Sequence, residues 1–207
     1  MVWNEELKRE IPKDWKVEKL SSTTRIASGF PFKSSEYVPH GKYRIITIKN
    51  VLDGEIDSSS AESVSDIPKK IPDVCKLGVG DILISLTGNV GRMGVIFEHN
   101  LLLNQRVGKL IVSNQELFLF SYFLLSSNEQ RVRLERFSNG SSQANLSPIQ
   151  AVDFNTFIPD SGTLKAFNGF VAPILDRMIS SRQESKRLMQ IRDWLLPLLM
   201  NGQIKIN

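Results

Sequence analysis

The sequence predicts an α+β fold: a mixed, β-rich domain over residues 1–160, followed by one long C-terminal α-helix within 161–207 that pairs with a partner helix. Three observations carry that expectation. Short β-branched and aromatic runs broken by Gly, Asn and Asp dominate the chain up to about residue 160. From about Thr163 to Met200 apolar residues instead recur at spacings of three and four. Between the two regimes, Ser147-Pro148-Ile149-Gln150 has the order of a capping box with proline at the first helical position, so a short helix begins there.

Four runs read as strands: KYRIITIKNV (42–51), DILISLT (81–87), RMGVIFE (92–98) and RVGKLIV (106–112). Turn-rich stretches separate them, SGFPFKSSEY (28–37), LDGEIDSSSAES (52–63) and IPKKIPD (67–73), and imply long surface excursions of the kind that carry binding groups. A helix is expected over 115–136, with Leu117, Phe120, Phe123, Leu124 and Leu134 on its apolar side and Glu129, Arg131, Arg133 and Glu135 largely exposed. GSSQAN (140–145) then reads as a loop and FNTFIP (154–159) as a final short strand.

The C-terminal stripe runs through Leu164, Phe167, Val171, Ile174, Leu175, Met178 and Ile179. It resumes at Leu188, Ile191, Leu195 and Leu198 after the polar stretch SSRQESKR (180–187). At about 1.5 Å per residue the helix would span roughly 55 Å, more than the diameter of the domain before it. Pro173 is a candidate kink, Pro197 a second kink or the last turns, and Gly202 a terminator. One reading packs the whole stripe on the chain's own domain. A helix longer than its domain, however, exposes apolar residues unless another helix covers them, and the length favours a partner helix. Sustained heptads are absent, so the spacing alone does not specify a regular coiled coil.

With 207 residues, 41% of them hydrophobic and 23% charged, the chain can bury a sizeable core. A net charge of +4 and a pI near 9.2 suit an acidic partner without identifying one. The single cysteine, Cys75, excludes an intrachain disulfide and points to a reducing compartment. The charged N-terminal stretch MVWNEELKREIPKDW lacks a signal-peptide core, and no run approaches the ~20 apolar residues that span a bilayer. The expectation is a cytoplasmic protein without a membrane partner.

Catalysis finds little support. The only histidines are His40 and His99, and no histidine–carboxylate cluster suggests a metal site. Cys75 has no histidine near it in sequence and reads as buried or incidental rather than nucleophilic. Gly88, Gly91 and Gly94 in TGNVGRMG fit neither GxGxxG nor GxxxxGK[ST], and a strand pattern follows them rather than a helix. They read as a tight turn between strands that lets the backbone approach a ligand closely. Neither a Pro-Asp…Glu-x-Lys nuclease pattern nor an Asn/Asp-Pro-Pro-Tyr motif occurs.

These segments match a known arrangement. IPKDWKVEKLSSTTRIASGFPFKSSEY (11–37) resembles the opening of a target recognition domain in type I restriction-modification specificity subunits: a proline and tryptophan, a short helix, then a glycine before an aromatic-containing loop. GVGDILISLTGNVGRMGVI (78–96) resembles the family's central strand–glycine turn–strand, and LLLNQRVGKLIV (101–112) the strand after it. GSSQANLSPIQAVDFNTFIPDSGTLKAFNGFVAPIL (140–175) is similar to the exit into the conserved helix, and IRDWLLPLLMNGQIKI (191–206) to the usual ending. The resemblance covers nearly the whole chain and rests on the ordered set rather than on one motif.

It implies a non-catalytic DNA-specificity subunit that binds no metal and no cofactor. S-adenosylmethionine would be used by partner methyltransferase subunits, with restriction subunits as further partners. In the family, each recognition domain reads one half of a bipartite double-stranded DNA target. The long helices pack antiparallel as a spacer and the methyltransferases dock around them. Family members usually carry two recognition domains and two helices; this sequence has one of each, and the expectation is a half-sized subunit that pairs with itself rather than a fragment of a longer one. The dimer face would comprise Phe167, Val171, Ile174, Met178, Ser181, Ser185, Leu188 and Leu195, with Ser180, Ser181 and Ser185 allowing close approach near a two-fold axis. Such symmetry implies a palindromic site.

Phosphate contact needs Lys and Arg, and base edges need bidentate groups such as Arg, Asn or Gln. Loops holding both kinds supply the candidates: Lys33, Lys42 and Arg44; Lys49 and Asn50; Lys69 and Lys70; Asn89 and Arg92; Asn104, Gln105 and Arg106; Asn139, Ser141, Ser142 and Gln143. The Gly88–Gly94 turn and the 139–145 loop stand out, because glycine and small polar residues permit close approach to a groove. For each residue taken singly, a solvated surface role is the competing reading. The basic residues of the long helix, Lys165, Arg177, Arg182, Lys186, Arg187 and Arg192, are expected to face solvent or the methyltransferase. The alternative from another class is a coiled-coil adaptor whose globular head binds protein rather than DNA.

Overall fold

The structure, a computed structural model, describes residues 1–138 and 145–204. Its central strand, Ile82–Ser85, is buried on both faces. Alternate side chains of that strand therefore enter two different cores, as the two-residue period of a strand requires. Leu83 packs with Ile45, Ile46 and Leu101–Leu103, whereas Ile82 and Ile84 pack with Leu20, Ile26, Leu125 and Leu134. This explains why Ile82, Leu83 and Ile84 are apolar in succession rather than alternating with polar residues.

Around that strand a five-stranded sheet orders Thr24–Ser28, Val107–Val112, Ile82–Ser85, Met93–Val95 and Gly54–Glu55, antiparallel except for the last pair. A four-stranded sheet orders Ser63–Val64, Tyr43–Ile46, Leu101–Leu103 and Lys76–Leu77, with its central pair parallel. Lys16–Lys19 pairs antiparallel with Asn155–Ile158 and so ties the start of the head to its exit, where the Trp15 and Phe157 rings lie 5.0 Å apart. The charged N-terminus forms a hairpin of Val2–Asn4 and Arg9–Ile11 that its charge concealed.

The expected strands are present but shorter. The run 42–51 stops at Ile46, because the Asn50 Oδ1 accepts from both the amide and the hydroxyl of Thr47 at 2.9 Å and closes Ile48–Asn50 into a 3-10 turn. The single helix expected over 115–136 is two: α1 (Phe118–Ser126) and α2 (Asn128–Ser138), with an extended residue, Ser127, between them. Ser127 caps the second, its Oγ accepting from the Gln130 amide at 3.4 Å. Arg133 of α2 is not largely exposed as expected. Its guanidinium lies 3.9 Å from the Phe154 ring centroid and donates to the Ala151 carbonyl at 2.8 Å and the Gln130 Oε1 at 2.7 Å. The box at Ser147 forms, the Gln150 Oε1 accepting from the Ser147 amide at 3.2 Å to start α3 (Pro148–Val152).

The last element is α4 (Ser161–Met200), 40 residues long, or about 60 Å. Asp160 caps its N-terminus by accepting from the Thr163 amide at 3.0 Å. The Thr163 hydroxyl and then its amide hold the Asp160 carboxyl below the usual carboxylate range. The helix continues through Pro173 and Pro197, and ends where Gly202, at φ +67°, donates its amide to the Leu199 carbonyl at 3.1 Å. Among the described residues no helix is long and apolar enough to cross a membrane. Cys75 is fully buried, and loss of solvation pushes its thiol above the usual range.

Candidate nucleic-acid interface

Three loops of the head meet at one place. The first follows the strand Tyr43–Ile46 and carries Ile48 and Lys49. The second is the turn Asn104–Val107, closed by the Val107 amide on the Asn104 carbonyl at 3.0 Å, with Gln105 and Arg106 exposed at its centre. Its position is set from both sides: the Asn104 amide donates to the Ile46 carbonyl at 3.1 Å, and the Gln105 amide to the Phe30 carbonyl at 3.1 Å. The third is the glycine turn. The Gly91 amide donates to the Ser85 carbonyl at 3.0 Å, and the Arg92 amide to the Ser85 Oγ at 3.2 Å. Gly88 and Gly91 have φ of +73° and +82°, values that glycine adopts freely.

These loops, with Asn145, enclose an open cleft of about 670 Å³ lined by Ile48, Thr87, Gly88, Gln105 and Arg106. The exit segment is joined to it by the Leu146 amide donating to the Leu86 carbonyl at 2.8 Å. Lys49 projects beside Ile48 and Asn89 beside Gly88, both exposed. Among the described residues neither Lys49 nor Arg106 forms an ion pair, so both cations are free for an anionic ligand.

Other candidates are placed elsewhere. Asn50 is buried and leaves the candidate set, its Nδ2 donating to the Asp57 carbonyl at 2.9 Å while its Oδ1 closes the turn. Arg44 donates to the Ser58 Oγ at 3.0 Å and lies 3.8 Å from Glu98. Arg92 turns to Asp53, with Nε 3.9 Å from Oδ2, and Arg131 meets the same carboxylate at 3.4 Å. Lys42 lies against the Tyr43 ring, and Lys33, Lys69 and Lys70 are exposed outside the cleft lining. Asn104 is half-buried and shapes its turn. Asn139, Ser141, Ser142 and Gln143 lie outside the described residues. Thr87 was not singled out from sequence, since within DILISLT it reads as one more strand residue.

The long helix has two working faces. Leu164, Leu175 and Ile179 pack on the head, and Asn168 donates to the Glu116 carbonyl at 2.7 Å. Further along, Gln183 donates to the Phe97 carbonyl at 2.9 Å, Arg182 meets Glu55 at 2.7 Å and Lys186 bonds Glu98. Arg182 and Lys186 thus clamp the helix to its own head, contrary to their expected outward role. Roughly 120° around the axis, at about 100° per residue, lies a second apolar stripe. There Phe170 is 73%, Ile174 56% and Leu188 59% exposed, with Met178, Ser181 and Ser185 also exposed. Phe167, Val171 and Leu195 are half-buried, Phe167 lying edge-on to Phe123 at 5.9 Å.

A β-rich head with a loop-lined cleft and free cations, held rigidly on an over-long helix, has the build of a recognition module. Comparison with known proteins gives its family: the model of the type I restriction modification DNA specificity domain matches residues 12–151, and the chain belongs to that family. It is 27% identical to the type I restriction enzyme MjaVIII specificity subunit of Methanocaldococcus jannaschii, covering 95% of this chain and 48% of that protein. Against the HindI specificity subunit of Haemophilus influenzae it is 24% identical, over 94% of this chain and 42% of the relative. The chain thus spans about half the length of the curated relatives it matches. The fold is shared with the crystal structure of a type I restriction-modification S subunit from M. genitalium (TM-score 0.54, 19% identity, 89% of this chain and 45% of that one). It is shared equally with the HsdS subunit from Thermoanaerobacter tengcongensis (TM-score 0.53, 16% identity, 95% and 47%).

Proposed function

We propose that this chain reads double-stranded DNA as a non-catalytic specificity subunit of a cytoplasmic type I restriction-modification system. One observation carries the reading: the segment matched by the family model, 12–151, is the one that builds the cleft, with the unpaired Arg106 in its lining and Lys49 next to the lining residue Ile48. Lys49 and Arg106 would anchor phosphates, while Gln105 and Asn89 present amides suited to base edges. The exposed stripe of α4 takes the same stripe of a second copy, giving a two-fold dimer with two cleft-bearing heads and a bipartite, palindromic target. Methyltransferase subunits, which would use S-adenosylmethionine, and restriction subunits dock on that assembly. The relatives' roughly double length accords with two heads per functional unit.

Duplex binding measured across salt tests the DNA reading. Affinity should fall steeply with salt, and Arg106→Ala should weaken binding to all sequences while reducing the log–log slope by about 1 if it contacts phosphate. Binding that is absent, or flat with salt, would instead favour the adaptor whose head binds protein.

A further inference from the structure

We propose that Thr87 is a specificity-determining residue whose hydroxyl is held in reserve for a base edge of the bound duplex. The inference rests on the DNA-reading role above and assigns the cleft floor a part in it. Thr87 is only 8% exposed, and its Oγ1 has no hydrogen-bond partner among the described residues. Buried hydroxyls are paired with few exceptions, because water is lost without replacement. The neighbouring cases obey that rule: Thr24 and Ser121 bond each other at 2.9 Å, the Ser63 hydroxyl donates to the Val38 carbonyl at 2.7 Å, and the Ser85 hydroxyl bonds the Asn89 carbonyl. Thr87 is therefore the exception among these hydroxyls, and it lies in the lining of the cleft.

Its surroundings point to a ligand rather than to a packing fault. Gly88 follows it, is exposed, and has no backbone atom within 4 Å of the position a Cβ would take, the nearest atom being the Ile48 Cδ1 at 3.4 Å. Gln105 and Arg106 line the same cleft. A hydroxyl both donates and accepts, and the threonine methyl packs on a thymine methyl, which suits the edge of a base pair in the major groove. For the free fold the hydroxyl is a cost that valine, nearly the same in shape, would not carry.

The chain co-expressed with its methyltransferase yields a methylated motif. Duplexes carrying that motif and a scrambled version are then the probes for wild type, Thr87→Val and Thr87→Ser. Thr87→Val is expected to melt at or above the wild-type temperature and to keep salt-dependent binding to the scrambled duplex. It should lose about tenfold or more in affinity for the motif and relax methylation at one position. Thr87→Ser should retain motif binding. A lower melting temperature for Thr87→Val makes the hydroxyl structural and overturns the inference, as does an unchanged motif affinity. If the wild type binds neither duplex in a salt-dependent way, the DNA-reading role itself falls and takes this inference with it.

Discussion

Gly29→Ala is expected to destabilise the head by about 3 kcal/mol, at the upper end for an overpacked site, and to abolish motif-specific binding. A Cβ at Gly29 would press inside 3.0 Å of the Asn104 carbonyl carbon and oxygen and of the Leu103 oxygen. All three are backbone, so no side-chain rotation relieves the clash. The backbone itself is pinned, with the Phe30 amide on the Leu103 carbonyl at 2.8 Å and the Asn104 amide on the Ile46 carbonyl at 3.1 Å. Relieving the strain moves residues 29–30 and the Asn104–Val107 turn apart, and that turn carries Gln105 and Arg106 into the cleft. Gly78→Ala is the control: its nearest neighbour would be the Asp81 Oδ2 at 3.8 Å, an ordinary contact. Denaturant unfolding reads the difference, and equal midpoints for the two variants would refute the account of this contact.

Ile174→Glu combined with Met178→Glu should convert a dimer to a monomer while leaving the head's melting temperature unchanged. The two side chains lie on the stripe that the head does not cover, apart from Leu164, Leu175 and Ile179, which it does. Each buried apolar side chain of this size contributes about 1.5–3 kcal/mol, and a symmetric interface counts each twice. Adding carboxylates that must be desolvated makes the expected rise in dissociation constant on the order of 10⁴-fold or more. Light scattering at micromolar concentration distinguishes the states, and a monomeric wild type would refute self-pairing.

Much of this architecture could be read from residues alone, where the signal was local. The strands announced themselves because runs such as 81–87 and 106–112 are apolar and β-branched, and the box at Ser147 because its partners are three residues apart. The break at Ser127 was missed since no Pro or Gly marks it, although Ser127 and Gln130 stand in capping-box order. Arg133 was misjudged because Phe154 and Ala151 come from beyond the next loop. The same reason governs the site. Gln105, Arg106 and the Gly88 turn were identifiable by residue type, whereas the acids that occupy Arg44, Arg92, Arg182 and Lys186 are remote in sequence. Thr87 offered no signal of its own; only the fold shows that its hydroxyl is alone.

The long helix sharpened most between sequence and structure. Its apolar residues divide into a face spent on the head and a face left open, so the choice between packing on its own domain and meeting a partner was not exclusive. The clamp of Arg182 on Glu55 and Lys186 on Glu98 holds the open face in a defined direction relative to the cleft. In a two-fold pair that direction would set the distance between the two half-sites.

The most direct measurement of the whole account is the methylation pattern left on DNA by cells that express this chain with its methyltransferase subunit and no other specificity subunit. A gapped motif whose halves are inverted repeats is the predicted result, because two identical heads related by a two-fold axis can read nothing else. An asymmetric bipartite motif, or a single ungapped one, would contradict it.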